Sequence, residues 1–146
     1  MREIYRAFLS TIVRRKIEPA RQIPIDVFSY SGESSLPEQV ASIRSFLECA
    51  GRPASFTVMS DGTYSKASLD LLRQVDPVVS IADPSPVSLG LPPRFSSYLR
   101  THPTGKQLAL IMSLPRDRPA LYIDSDVMFF PGSSELPDIL PSSVNM

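Results

Sequence analysis

A single cysteine, Cys49, in 146 residues rules out an internal disulfide and a cysteine-ligated metal cluster, so nothing marks an oxidising compartment. It falls in a predicted amphipathic helix and is expected as a small core residue. No apolar run approaches the ~20 residues of a membrane span. The opening MREIYRAFLSTIVRRK is interrupted by charge too often to be a secretory signal. A surplus of one charge is also missing: 15 basic residues stand against 15 acidic ones, which removes the electrostatic reason to expect a nucleic-acid partner. These absences predict a soluble, cytoplasmic chain without a transmembrane segment. Glycine is scarce, six residues against 15 prolines. The prolines gather at Pro84, Pro86, Pro92 and Pro93, then at Pro131, Pro137 and Pro141, where they punctuate elements and build no repeat.

What is present fits one globular domain, since 42% apolar content over this length supports a real core. Residues 1–22 read as an amphipathic helix and linker, 23–135 as the folded domain and 136–146 as a polar, proline-bearing tail. The N-terminal helix places Ile4, Phe8 and Ile12 on one side and Arg2, Arg6, Arg14 and Arg15 elsewhere. That pattern suits packing against the domain, with peripheral membrane contact as the second use.

Strand and helix signals then alternate. Ile25 to Tyr30 predicts a strand and Pro37 to Ala50 a helix with Val40, Ile43, Phe46 and Leu47 at core spacing. Ala54 to Met59 predicts a second strand, followed by a turn at SDGT. A helix over Ser65 to Val75 and a strand over Val78 to Ala82 follow. A short helical piece spans Arg94 to Arg100. Thr104 is expected to cap a further helix with Leu108, Ile111, Met112 and Leu114 buried. The order implies an α/β fold with a mostly parallel sheet covered by helices on both faces.

The fourth strand is the most informative. ALYIDSDVMFF, residues 120 to 130, is an apolar run that ends in Asp124 and Asp126 with Ser125 between them. In a regular strand, residues two apart share a face, so the two carboxylates are expected to converge on one hard cation, Mg²⁺ or Mn²⁺. The alternative is a solvated turn, because Asp is common in turns. The upstream run lacks alternation and reads as a buried parallel strand, placing the pair at a carboxyl edge where open α/β sheets bind ligands.

The succession IDVFSYSGE, ASFTVMSDGT, TGKQLALIMSL and ALYIDSDVMFFPG resembles the nucleotide-binding half of a GT-A glycosyltransferase, of the nucleotide-diphospho-sugar transferase superfamily. The likeness covers roughly residues 24 to 135 and implies a Rossmann-like domain. It further implies that Asp126 ligates Mn²⁺ or Mg²⁺ on the two phosphates of a sugar nucleotide, with Asp124 reaching the ribose or a metal-bound water and Ser125 beside the substrate. Ser29, Tyr30 and Ser31 would cup base and ribose, Tyr30 by stacking. Asp61 would meet the base edge, or else close an Asx turn before Gly62. Lys106 would meet phosphate or base, or else be a solvated lysine. The lone histidine, His102, reads as a loop or cap residue. The donor is expected to be a nucleoside diphosphate sugar, with UDP preferred over GDP on the family's pattern. The acceptor, the stereochemistry and the base that would deprotonate the acceptor are open.

Two other readings stand beside this one. The sequence extends about twenty residues past Asp126, fewer than the family's pattern, and implies a truncated transferase or a non-catalytic sugar-nucleotide-binding or interaction domain. A haloacid dehalogenase-type phosphatase fits less well. Its DxDx[TV] signature meets Met128 at the last place, and no lysine or arginine follows Asp126.

Overall fold

A computed structural model describes residues 2–19, 21–83, 92–114 and 117–139; the expected proline loop at Pro84 and Pro86 and the last residues of the tail, Pro141 included, lie outside them. Four strands form one all-parallel sheet in the order β3-β2-β1-β4. They are β1 (Gln22–Ser31), β2 (Arg52–Ser60), β3 (Val79–Ala82) and β4 (Ala120–Tyr122). The fold is α/β with a parallel sheet and helical crossovers, compatible with a Rossmann-like arrangement.

β1 starts three residues before its predicted Ile25. Pro24 falls inside the strand: the register with β2 shifts between Ile23 and Asp26, an irregularity that tolerates a residue without an N–H. Pro53 is tolerated in β2 because β3 pairs only from Phe56 onward.

One sheet face carries the core. Val27, Phe56 and Val79 stand in register across three strands, and Val40, Ile43, Phe46 and Leu47 of α3 (Leu36–Cys49) cover them. Leu72 and Val75 of α4 (Lys66–Val75) extend the layer. Ser65 caps α4, its Oγ accepting from the Ser68 amide at 3.2 Å, and Glu33 accepts from the Ser65 amide at 2.9 Å. Fully burying each of these apolar side chains contributes about 1.5–3 kcal/mol.

The N-terminal segment joins this core. It forms α1 (Arg2–Ala7) and α2 (Leu9–Ile12), broken at Phe8. Leu9, Val13 and Ile17 are buried with α3, whereas Ile4 and Phe8 of the predicted stripe are 66% and 58% exposed. The buried Arg44 of α3 pins the segment by donating to the carbonyls of Ile12 and Arg15, both at 2.9 Å.

The other face is more polar. Asp26, Ser55, Thr57 and Ser80 lie there, with Ser55 Oγ donating to Asp26 at 2.6 Å and the exposed Thr57 and Ser80 hydroxyls 3.2 Å apart. Helices α5 (Pro93–Thr101) and α6 (Pro103–Ser113) pack chiefly on each other, and neither belongs to the main core. The expected burial in α6 is overturned. Leu108, Ile111 and Met112 are exposed and Leu114 is half-buried, while Gly105, Ala109 and Leu110 are buried. The reason is close approach at Gly105, where a Cβ would overlap the Tyr98 carbonyl and so fixes the face that meets α5. Thr104 is not the cap. The cap position is His102, whose ring stacks on Tyr98 with centroids 4.9 Å apart. At the start of the tail, a 3₁₀ turn at Pro131–Glu135 leads into α7 (Leu136–Ile139). Among the described residues, no helix is long and apolar enough to cross a membrane.

Candidate functional site

The chain runs outward from β1 to β2 to β3 and then returns to place β4 on the opposite side of β1. This reversal is a topological switch point, and in open parallel sheets the crevice beyond the strand ends there is where ligands bind. Tyr30 ends one wall. Asp124, Ser125 and Asp126 follow β4 on the other, held in register by Ile123, whose amide donates to the Phe28 carbonyl at 2.9 Å.

The premise that the strand stays regular through both carboxylates is overturned. β4 ends at Tyr122, and Asp124 to Val127 form a turn closed by the Val127 amide on the Asp124 carbonyl at 3.2 Å. Both carboxylates are exposed, and Ser125 is half-buried between them. The turn is anchored from behind: the Phe129 amide donates to the buried Ser45 hydroxyl at 3.1 Å, and the Phe129 ring meets Phe46 edge-on at 4.9 Å. Among the described residues, no three His, Cys, Asp or Glu side chains gather as a metal cluster.

Around Asp124 lies a small set of phenols. Burial, and then the Asp124 charge, push the Tyr122 hydroxyl far above its ordinary range. That hydroxyl is buried beside the Asp124 carboxylate. Tyr30 is raised by burial and then by Asp61. Tyr30, Asp61 and Asp124 are thus brought to one edge of the sheet, with Tyr122 as a member that the motif pattern does not single out.

Asp61 is held firmly. Its Oδ1 accepts from the Thr63 amide at 2.9 Å and from the Thr63 hydroxyl at 2.6 Å, which makes the Asx turn, and its carboxylate lies over Gly32, where a Cβ would overlap it. Ser29 and Ser31 point into the core instead of the crevice. Both donate to Gln39 Oε1, at 3.0 and 2.7 Å, and the Ser31 hydroxyl is also 2.6 Å from that of Tyr64. Burial raises the Tyr64 phenol to about 12 despite its bond to Ser31. Lys106 is exposed in the first turn of α6 and makes no ion pair among the described residues.

Sequence reasoning passes over Glu33 and Glu38. Burial alone would raise the Glu33 carboxyl, but bonds from Ser65 and Ser68 and the charge of Arg6, 3.7 Å away, outweigh it and hold the group below its usual value. Glu38 pairs with Arg2 at 2.5 Å and lines a groove of about 450 Å³ with Ile4, Phe8, Ile12, Asp126 and Met128. Both glutamates flank a helix start, and helical periodicity assigns such positions to solvent.

Compared with known proteins, the chain matches no family model and no curated protein sequence.

Proposed function

We propose that this chain is the nucleotide-sugar-binding part of a metal-assisted, GT-A-like glycosyltransferase, acting on a nucleoside diphosphate sugar and an acceptor hydroxyl. The observation that carries the reading is the Asp124–Asp126 turn at the β1/β4 switch point, beside Tyr30 and Asp61. Its donor set fits a hard cation: Mg²⁺ and Mn²⁺ use one or two carboxylates and leave other positions to water and substrate phosphates. Asp126 and Asp124 would hold that cation. When bound, it supplies Lewis-acid stabilisation of the charge that grows on the departing nucleoside diphosphate.

The chain's own residues supply the rest of the binding site. Tyr30 offers a ring at the strand end for base or ribose. Asp61, with Oδ1 committed to Thr63, keeps Oδ2 for a ligand donor and is already oriented, which lowers the cost of binding. Ser29 and Ser31 support this edge from beneath through Gln39. Lys106, exposed in the first turn of α6, would meet phosphate or base.

The test is thermal stability with UDP, GDP and sugar nucleotides, with and without Mn²⁺, beside Asp126→Ala. Ligand at a hundred times its Kd adds about 2.7 kcal/mol to the native state. For a domain of this size that raises Tm by roughly 5–10 °C. The expected rise needs both nucleotide and Mn²⁺ and disappears in the variant. A folded protein with no shift overturns the reading, and nucleotide binding without sugar transfer in the presence of acceptors reassigns the chain as a binding domain.

A further inference from the structure

The α5–α6 hairpin carries surface that neither the core nor the nucleotide reading uses. On α6, Leu108, Ile111 and Met112 are 41–45% exposed and stand at i, i+3 and i+4, so they are neighbours on one helix face. Phe95 and Tyr98, one turn apart on α5, are exposed as well. Large apolar side chains grouped in this way mark a contact surface, unlike singly scattered ones. Charge names what the surface meets. All 15 acidic residues of the chain lie outside residues 84–116, a stretch that holds Arg94, Arg100, Lys106 and Arg116, so this segment is wholly basic in a chain of zero net charge. Arg94 and Arg100 are exposed and make no ion pair among the described residues. The N-terminal helices differ on this point: Glu3 and Glu18 are mixed with their cations, and Arg2 and Arg6 are committed to Glu38 and Glu33. A second copy suits the hairpin poorly, because pairing like with like sets its cations against the same cations.

We propose that the α5–α6 hairpin docks this chain on an anionic lipid bilayer, with Leu108, Ile111 and Met112 entering the boundary between headgroups and acyl chains and Arg94 and Arg100 meeting the lipid phosphates. The contact is peripheral. With 11 residues, α6 is about 16 Å long, roughly half the hydrocarbon thickness of a membrane, so it lies on the surface and does not cross it. A bilayer takes up a convex apolar ridge without a matching groove, which a protein partner would have to supply. Phe95 and Tyr98 are of the aromatic type that settles at the membrane boundary. The docking does not depend on the sugar-nucleotide reading.

The test is co-sedimentation of the full chain with vesicles of phosphatidylcholine mixed with phosphatidylserine, beside vesicles of phosphatidylcholine alone. A cation near an anionic membrane strengthens partitioning about fivefold, so Arg94 and Arg100 together predict roughly twentyfold tighter binding to the mixed vesicles, and a double Arg94→Gln, Arg100→Gln variant is expected to lose that advantage. Ile111→Asp is expected to abolish binding while leaving the urea midpoint unchanged, since the position is exposed. Met112→Gln, which alters no charge, is expected to weaken binding several-fold. No binding to the mixed vesicles, equal binding to the neutral ones, or unchanged binding by a folded Ile111→Asp protein overturns the proposal. So does loss of binding in Phe8→Asp with Ile111→Asp unaffected, which moves the contact to the N-terminal helices. Concentration-dependent self-association that Ile111→Asp removes makes the face an interface between copies, and binding of free polyglutamate as tight as that of the vesicles gives it to an acidic protein; either result also overturns the proposal.

Discussion

Gly32→Ala tests how the sheet edge holds Asp61. Gly32 is buried just past β1 with φ −144°, an extended conformation open to alanine, so the substitution carries no backbone strain. The obstacle is steric. A Cβ at Gly32 would overlap the Asp61 carboxyl group, and the three atoms nearest it all lie beyond the aspartate Cβ. The carboxylate cannot swing away freely, because Thr63 holds Oδ1 through its amide and its hydroxyl. Making room means giving up those two bonds, each worth about 0.5–1.5 kcal/mol net. The expected cost is therefore about 1–3 kcal/mol, which for this size lowers Tm by roughly 2–12 °C.

The same reasoning fixes the cost in a second background. Asp61→Ala removes the three atoms nearest the new Cβ, so Gly32→Ala in that background should cost less than about 0.5 kcal/mol and can stabilise slightly by restricting the unfolded chain. Urea denaturation of the four proteins gives the double-mutant cycle, with an expected coupling of about 1–3 kcal/mol. Equal costs of Gly32→Ala in both backgrounds would show that the Asp61 carboxylate does not lie over Gly32, and the preorganisation argued for Asp61 would fall with it.

The remaining predictions concern the other close approach and two titrations. Gly105→Ala places a Cβ against the backbone of α5, which cannot rotate aside, so it should cost about 1–3 kcal/mol or more and loosen α6 locally, read as faster amide exchange confined to α5 and α6. Glu33, held below its usual carboxyl range, contributes stability that is present above its unfolded value and is lost as pH falls through the folded one; urea midpoints from pH 6 to 3 should fall less steeply in Glu33→Gln than in the wild type. Tyr64 runs the opposite way. Raised from 10.0 to about 12, it contributes stability that is complete below pH 10 and lost as pH rises towards 12, so the alkaline fall in urea midpoint should be shallower in Tyr64→Phe.

Much of the architecture is legible in the chain because its signals are local. The alternation of apolar runs and amphipathic stretches marks every strand and every long helix, and Val40, Ile43, Phe46 and Leu47 are buried at the expected helical spacing. Two kinds of information are not local. In α6 the apolar residues wrap most of the helix, so periodicity cannot choose a face; the choice is made by Gly105, whose missing side chain lets α5 approach. At Asp124 the strand rule presumes that pairing continues, yet β4 ends at Tyr122 and the chain turns. Ser29 and Ser31 show a third limit. Both lie on β1 near the crevice, but their face of the strand meets Gln39 of α3, and only the tertiary packing distinguishes support from lining.

The turn after β4 is the point at which these features meet. On the switch-point side, Asp124 lies by Tyr122 and shares an edge with Tyr30 and Asp61. Two residues later, Asp126 lines the groove with Glu38 and Met128. A regular strand would have sent both carboxylates to one face; the turn instead leaves Asp124 beside Tyr122 and Asp126 beside Met128, two residues apart. The anchors at Ser45 and Phe46 then acquire a purpose beyond packing. They tie the segment that leaves the turn to α3, the same helix that carries Glu38, so the position of the turn is set by one helix.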